Sequence, residues 1–249
     1  MKTSPDTQPS QFIDALMEPA VIQLHDVHYQ VPSDHQVLDI IKACSLAVQP
    51  QETVAIVGRS GSGKSTLLSL MAGLETPSSG DISLLGQNLC HLNEDQRARL
   101  RARQVGFIFQ NFQLMPSMSA LENILMPLEL FQIADAEPKA RQALKRVGLA
   151  ARANHRPAEL SGGEQQRVAI ARAFVTEPKV LFADEPTGNL DEETAKQVED
   201  LLFELNQTLN TTLILVTHDL DFAHRCQRTL HLQHGHLVEQ HSEQDAGDE

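Results

Sequence analysis

Residues 53–57 (TVAIV) run directly into Gly58-Arg59-Ser60-Gly61-Ser62-Gly63-Lys64-Ser65, after which Thr66 and the run LLSLMAGL continue with helical character. A buried strand, a G-x-x-x-x-G-K-[ST] loop and a helix in that order restrict the chain to folds in which a sheet delivers a phosphate-binding loop at its carboxyl edge. The glycines let backbone N–H groups turn inward around phosphates, and the helix N-terminus adds its dipole. Lys64 reaches the β and γ phosphates and the Ser65 hydroxyl holds magnesium, while Arg59 and Ser62 also read as solvent-facing spacers. Binding of a nucleoside triphosphate is the chemistry implied.

Such a site needs a carboxylate for the magnesium, and Asp184 supplies one at the end of a second apolar run, residues 180–183 (VLFA). Glu185 follows it directly. Two adjacent carboxylates repel unless a cation lies between them and each has its own task, so Asp184 is assigned to magnesium and Glu185 to the attacking water as general base. A third apolar run, residues 213–217 (LILVT), ends at His218, which puts that imidazole at the same edge for the γ-phosphate or the water. A lone histidine is also commonly structural. His231, His234, His236 and His241 alternate with apolar residues across an expected turn at Gly235, the pattern of a hairpin rather than a metal site.

Each of the three runs is nearly continuous in apolar residues, as strands covered on both faces are, so a layered α/β fold around a largely parallel sheet is expected. Helical stripes recur at Val198, Leu201, Leu202 and Leu205, and at Ala140, Ala143, Leu144 and Val147 before Gly148. Ser119 and Glu122 form a capping box that opens a helix-rich stretch running to about residue 176. Residues 1–20, with a short apolar cluster at Phe12, Ile13, Leu16 and Met17, read as a loosely held tail, and residues 241–249 as an acidic one.

A formal charge of −13 disfavours a nucleic-acid-binding face. Three widely spaced cysteines, Cys44, Cys90 and Cys226, point to a reducing cytosol. No run approaches the roughly 20 apolar residues that cross a bilayer, so a soluble chain is expected and any membrane role goes through a partner.

Residues 160–165 (LSGGEQ), followed by QRVAIARA and placed before a strand ending in Asp-Glu, resemble the signature motif of ABC ATPases. Ser161 and Glu164 also read as a capping box, and the two roles are compatible. The resemblance covers about residues 21–240. It implies an α/β P-loop NTPase of the ABC ATPase type, with a RecA-like mixed sheet core and a helical subdomain inserted at about 111–176. By the same resemblance Gln110, in FIFQNF, is the Q-loop residue that links magnesium to the helical subdomain, and residues 189–191 are the D-loop. Tyr29 is similar to the aromatic that stacks on adenine, and His218 to the switch histidine. The wording FQLMPSMSALENILMPLEL with FADEPTGNLD looks like the lipoprotein-release and macrolide-export group.

In that family two domains pair head to tail, so Ser161, Gly162, Gly163 and Glu164 of one copy would face ATP held by the other. One phosphate loop and one signature per chain then imply a homodimer, acting on a separate integral membrane permease from the cytoplasmic face of the inner membrane. The expected activity is Mg-dependent ATP hydrolysis that drives export or force transmission. A soluble ABC-type ATPase working on a cytosolic macromolecule is the alternative, though it usually carries a coiled-coil insertion or a second fused domain, and neither is visible.

Overall fold

The computed structural model describes residues 19–33 and 36–239. The cluster at Phe12, Ile13, Leu16 and Met17, the acidic stretch 241–249 and His241 lie outside them. The chain opens with β1 (Ile22–Ser33), β2 (Gln36–Val48) and β3 (Thr53–Val57), then α1 (Lys64–Met71), β4 (Ser79–Leu84) and β5 (Gln87–Asn88). It continues through α2 (Glu94–Gln104), β6 (Val105–Phe109), α3 (Ala120–Leu130), α4 (Ala136–Arg146) and α5 (Gly162–Phe174). The last part holds β7 (Val180–Asp184), α6 (Glu192–Leu209), β8 (Thr212–Thr217), α7 (Leu220–Ala223), β9 (Arg228–Gln233) and β10 (His236–Glu239).

Six strands form the central sheet in the order β10-β9-β3-β8-β7-β6. Strands β9, β3, β8, β7 and β6 run parallel, and β10 joins antiparallel through a two-residue turn at His234 and Gly235, both with positive φ. The sheet is therefore mixed, as the family pattern implied. A second, antiparallel sheet of four strands, β2-β1-β4-β5, packs against it and was not foreseen from the sequence.

The apolar runs are buried on both faces because the pleat divides them between two cores. Ala55, Val57, Leu181, Ala183, Leu213 and Leu215 face a cluster built with α3, α4, α5 and α6. Their alternates Val54, Ile56, Val180, Phe182, Ile214 and Val216 face α1 and the antiparallel sheet. Phe182 is fully buried and stacks on Phe107 with ring centroids 5.6 Å apart, a side chain whose burial contributes about 1.5–3 kcal/mol. The helical stretch α3–α5 shares its core with the sheet instead of carrying one of its own.

Helix boundaries follow the expected chemistry. Ser119 Oγ accepts from the Glu122 N–H while Glu122 returns to the Ser119 N–H at 2.7 Å, starting α3. At the end of α4, Gly148 takes φ +75°, its N–H bonds Lys145 O and the Leu149 N–H bonds Leu144 O at 2.9 Å, a Schellman closure. The same device in another form ends α6, where Asn210 adopts the left-handed region.

Candidate nucleotide site

Registration of four neighbouring parallel strands gathers the chemistry at one edge. Val57 lies opposite Thr217, Val216 opposite Asp184, and Asp184 opposite Phe109. The residues that leave these strands are Gly58, His218, Glu185 and Gln110, so the sheet order β3-β8-β7-β6 sets them side by side.

The phosphate loop closes over its own lysine. Lys64 is buried, and its Nζ donates to the carbonyls of Gly58 and Arg59 at 2.9 and 3.3 Å. Gly63 takes φ +98°, and a Cβ there would stand 3.0 Å from Ile40 of β2, so only glycine fits between the loop and that strand. Arg59, Ser60, Gly61 and Ser65 are exposed, and Ser62 and Thr66 half-buried. The Ser62 hydroxyl is buried without a hydrogen-bond partner.

The two acids stand in different surroundings. Asp184 is half-buried, and desolvation pushes its carboxyl above the usual carboxylate range; a hydrogen bond with Ser65 opposes this, the neighbouring Glu185 charge adds to it, and Lys64 opposes it. Its Oδ1 is buried and unpartnered. Glu185 carries the strained φ of +46°. Its Oε2 accepts from His218 Nδ1 at 2.7 Å and its Oε1 stands 4.0 Å from Lys64 Nζ. A carboxylate only accepts, so Nδ1 carries the shared proton and Nε2 of the exposed His218 ring is left for a substrate.

These residues fit a divalent ion. An orphaned Asp184 oxygen beside the Ser65 hydroxyl is the donor set magnesium takes when phosphate and water complete its shell. Among the described residues no group of three or more His, Cys, Asp or Glu gathers to hold a metal.

Gln110 sits elsewhere in its reach. Its Nε2 donates to Asn189 Oδ1 at 3.3 Å, and a Cβ on Gly188 would lie 2.8 Å from it, so the amide rests on the loop after β7. The Asn189 amide returns to Gln110 O at 3.0 Å and Asn111 Oδ1 at 3.1 Å.

At the start of α5 the Ser161 hydroxyl accepts from the Glu164 N–H, and Glu164 Oε2 accepts from the Ser161 N–H at 2.8 Å. Glu164 Oε1 is taken by Arg152 Nε at 3.1 Å. The Ser161 N–H, with Arg152, holds the Glu164 carboxyl below its usual range. Both Glu164 oxygens are engaged within the chain. Gly162 packs toward Leu190, and a Cβ on Gly163 would overlap Thr194 at the start of α6. Gln166, fully buried, donates to Pro186 O and ties α5 to the loop that follows Glu185.

Tyr29 lies on β1 opposite Ile41, the residue whose methyl packs 3.2 Å from the Gly63 Cβ position. Its hydroxyl donates to Glu75 at 3.4 Å, and its pKa is raised by burial and by that carboxylate. Two arginines of this region, Arg152 and Arg172, carried no sequence signal beyond lying in or near the signature stretch.

Residues 41–188 match the family model described as ABC transporter. The chain is 51% identical over 222 residues to the ABC transporter ATP-binding protein YbbA of Escherichia coli strain K12, covering 88% of this chain and 97% of that one. It is 47% identical over 225 residues to the lipoprotein-releasing system ATP-binding protein LolD of Pseudomonas fluorescens, covering 90% and 99%. Among solved structures, the dimeric post-hydrolysis state of the ATP-binding cassette MJ0796 bound to ADP and Pi superposes with a TM-score of 0.81 at 35% identity, over 88% of this chain and 97% of that one.

Proposed function

The chain belongs to the ABC transporter family as an ATP-binding, ATP-hydrolysing subunit that works with a membrane partner, and we propose that its catalytic unit spans about residues 21–240 with a helical subdomain at about 111–176. The observation that carries the residue assignments is the single sheet edge on which Lys64, Asp184, Glu185 and His218 meet.

In this reading residues 58–66 wrap the phosphates with backbone N–H groups, and Lys64 exchanges the carbonyls of Gly58 and Arg59 for β and γ oxygens. Glu185 accepts a proton from the attacking water, and His218 holds the Glu185 carboxylate through Nδ1 while Nε2 faces the γ-phosphate. Ser65 and Asp184 would hold magnesium, with Gln110 joining them; when bound, the ion supplies charge neutralisation across the phosphates. Tyr29 stacks on adenine, supported by its place beside the β2 residues that pack on Gly63.

Ser161, Gly162 and Gly163 act on ATP held by a second copy of the chain. A capped helix N-terminus with two glycines is a surface for phosphate, and α5 packs on α3, α4, α6 and β6 whereas α1 packs on β4, β7 and β8. The dimeric state of the MJ0796 cassette supports this pairing. Among the described residues no helix is long and apolar enough to cross a membrane. The likeness to the ATP-binding proteins LolD and YbbA supports a membrane-spanning partner on a separate chain, which would hold this subunit at the cytoplasmic face of the inner membrane. An open groove of about 1260 Å³ suits a cytoplasmic helix of that partner: it runs between α2, β6 and the end of α3, with Leu130 71% exposed and Arg99 and Arg103 at its rim.

Glu185→Gln tests the assignment. Turnover is expected to fall by about 10²–10⁴-fold while ATP drives the variant into a dimer measurable by light scattering. Capture of the tagged variant from detergent-solubilised membranes with ATP and magnesium is expected to recover a polytopic protein in near-equal amount. Wild-type turnover in the variant overturns the role of Glu185, and a dimer that brings no membrane protein overturns the partner.

A further inference from the structure

The four residues 110–113 form a strained turn held from two sides. Phe112 and Gln113 both take positive φ, +56° and +47°, although neither is glycine. The Gln113 N–H bonds Asn111 O across Phe112, an i to i+2 closure around a left-handed residue, which is the strained form of a γ-turn. Two consecutive residues in this region cost about 1–3 kcal/mol each, so the conformation persists only if its surroundings impose it.

One side is the Asn189 amide already described. The other is Arg172, near the end of the signature helix α5, whose planar guanidinium donates to Phe112 O at 2.9 Å through Nη2 and to Gln113 O at 2.6 Å through Nη1. This fork spans the two carbonyls that follow the strained residues, a geometry a single ammonium does not reproduce. Arg172 is also half-buried, and it lines the groove beside α2 and α3.

We propose that Arg172 is a positioning residue for ATP hydrolysis: by clamping the carbonyls of Phe112 and Gln113 it imposes the left-handed turn that sets where the Gln110 amide stands. It links the helix bearing the signature glycines to the Gln110 loop within one chain, and its face toward the groove lets an occupant there bear on the same turn. The inference rests on the reading of Gln110 as a ligand at the magnesium side of the site.

The test compares full-length wild type, Arg172→Gln, Gln113→Gly, Arg172→Gln combined with Gln113→Gly, and Gln110→Ala, each measured for kcat, for KM and for melting temperature. Arg172→Gln is expected to lose about tenfold or more in kcat, with KM for ATP within about twofold of wild type. Because glycine takes positive φ without strain, the double variant is expected to recover about threefold over Arg172→Gln. A residue that merely supports folding gives no such rescue. Arg172→Lys serves if the glutamine variant does not fold, with an expected loss of about threefold or more in kcat. Wild-type kcat in a folded Arg172 variant, or a double variant no better than Arg172→Gln alone, overturns the clamp. Impaired Gln110→Ala beside an unimpaired Arg172 variant overturns the clamp alone, whereas wild-type turnover in Gln110→Ala overturns the reading of Gln110 and this inference with it.

Discussion

Replacing Asp184 by asparagine separates what the site costs the fold from what it gives the ligand. Burial raises this carboxyl above its ordinary range, and its Oδ1 has no protein partner. Asparagine keeps a polar atom at that position but carries no charge to desolvate, and the half-exposure of Asp184 keeps the relief small, about 1 kcal/mol. For a chain of this size about 1 kcal/mol moves the midpoint by roughly 2–4 °C, so the ligand-free variant is expected to melt higher than wild type by that amount. The sign with pH agrees. A folded carboxyl that keeps its proton to higher pH than the unfolded one makes stability greatest in acid and lower as pH rises through the window between the two, a slope the variant lacks. With nucleotide the order reverses. A ligand at a hundred times its Kd adds about 2.7 kcal/mol, roughly 5–11 °C, to wild type, and the magnesium-dependent part of that gain is expected to vanish in the variant. Differential scanning calorimetry with ATP, with and without magnesium, reads both effects. An apo variant that melts at or below wild type, or that keeps the full magnesium increment, refutes the assignment of Asp184.

Gly163→Ala adds a methyl that overlaps Thr194, so the first turn of α5 must shift against α6; ATP-dependent dimerisation of the Glu185→Gln protein is expected to be lost while nucleotide binding by the isolated chain persists, as equilibrium dialysis would show. The Cys226 thiol, pushed up to about 12 mainly by burial, and the buried Cys44, also raised mainly by burial, are expected to resist iodoacetamide at pH 8 in native protein, leaving the half-buried Cys90 to react first; equal labelling of all three counts against the fold.

The catalytic edge was legible because buried parallel strands are short, continuous apolar runs, and whatever polar residue interrupts each one stands at the carboxyl edge. That rule places Asp184, Glu185 and His218 at the edge, and the phosphate-loop motif places Gly58 there. The antiparallel sheet escaped it. β1 and β2 alternate polar with apolar residues and are broken by register shifts around Leu24, Val27 and Tyr29, so their periodicity is interrupted where it would have been read. Helix α2 escaped for another reason: it buries only Leu100, and its Asn93 and Gln96 capping box stands ahead of a nearly all-polar segment.

The turn at residues 110–113 was invisible on stronger grounds. Left-handed backbone usually advertises itself through glycine or asparagine, and Phe112 and Gln113 are neither. What permits the conformation is Arg172, some sixty positions away, whose own sequence context is an ordinary helical repeat. A local pattern reports the preferences of the residues within it, and here those preferences favour another conformation. The stabilising partner is long-range and its energy is electrostatic and directional rather than apolar, so no hydrophobic period marks it. It follows that substitutions at Arg172 act on residues 110–113 without touching them in sequence. A glycine at position 113 is the one local change that would have made the turn readable, and it is also the change expected to make the arginine less necessary.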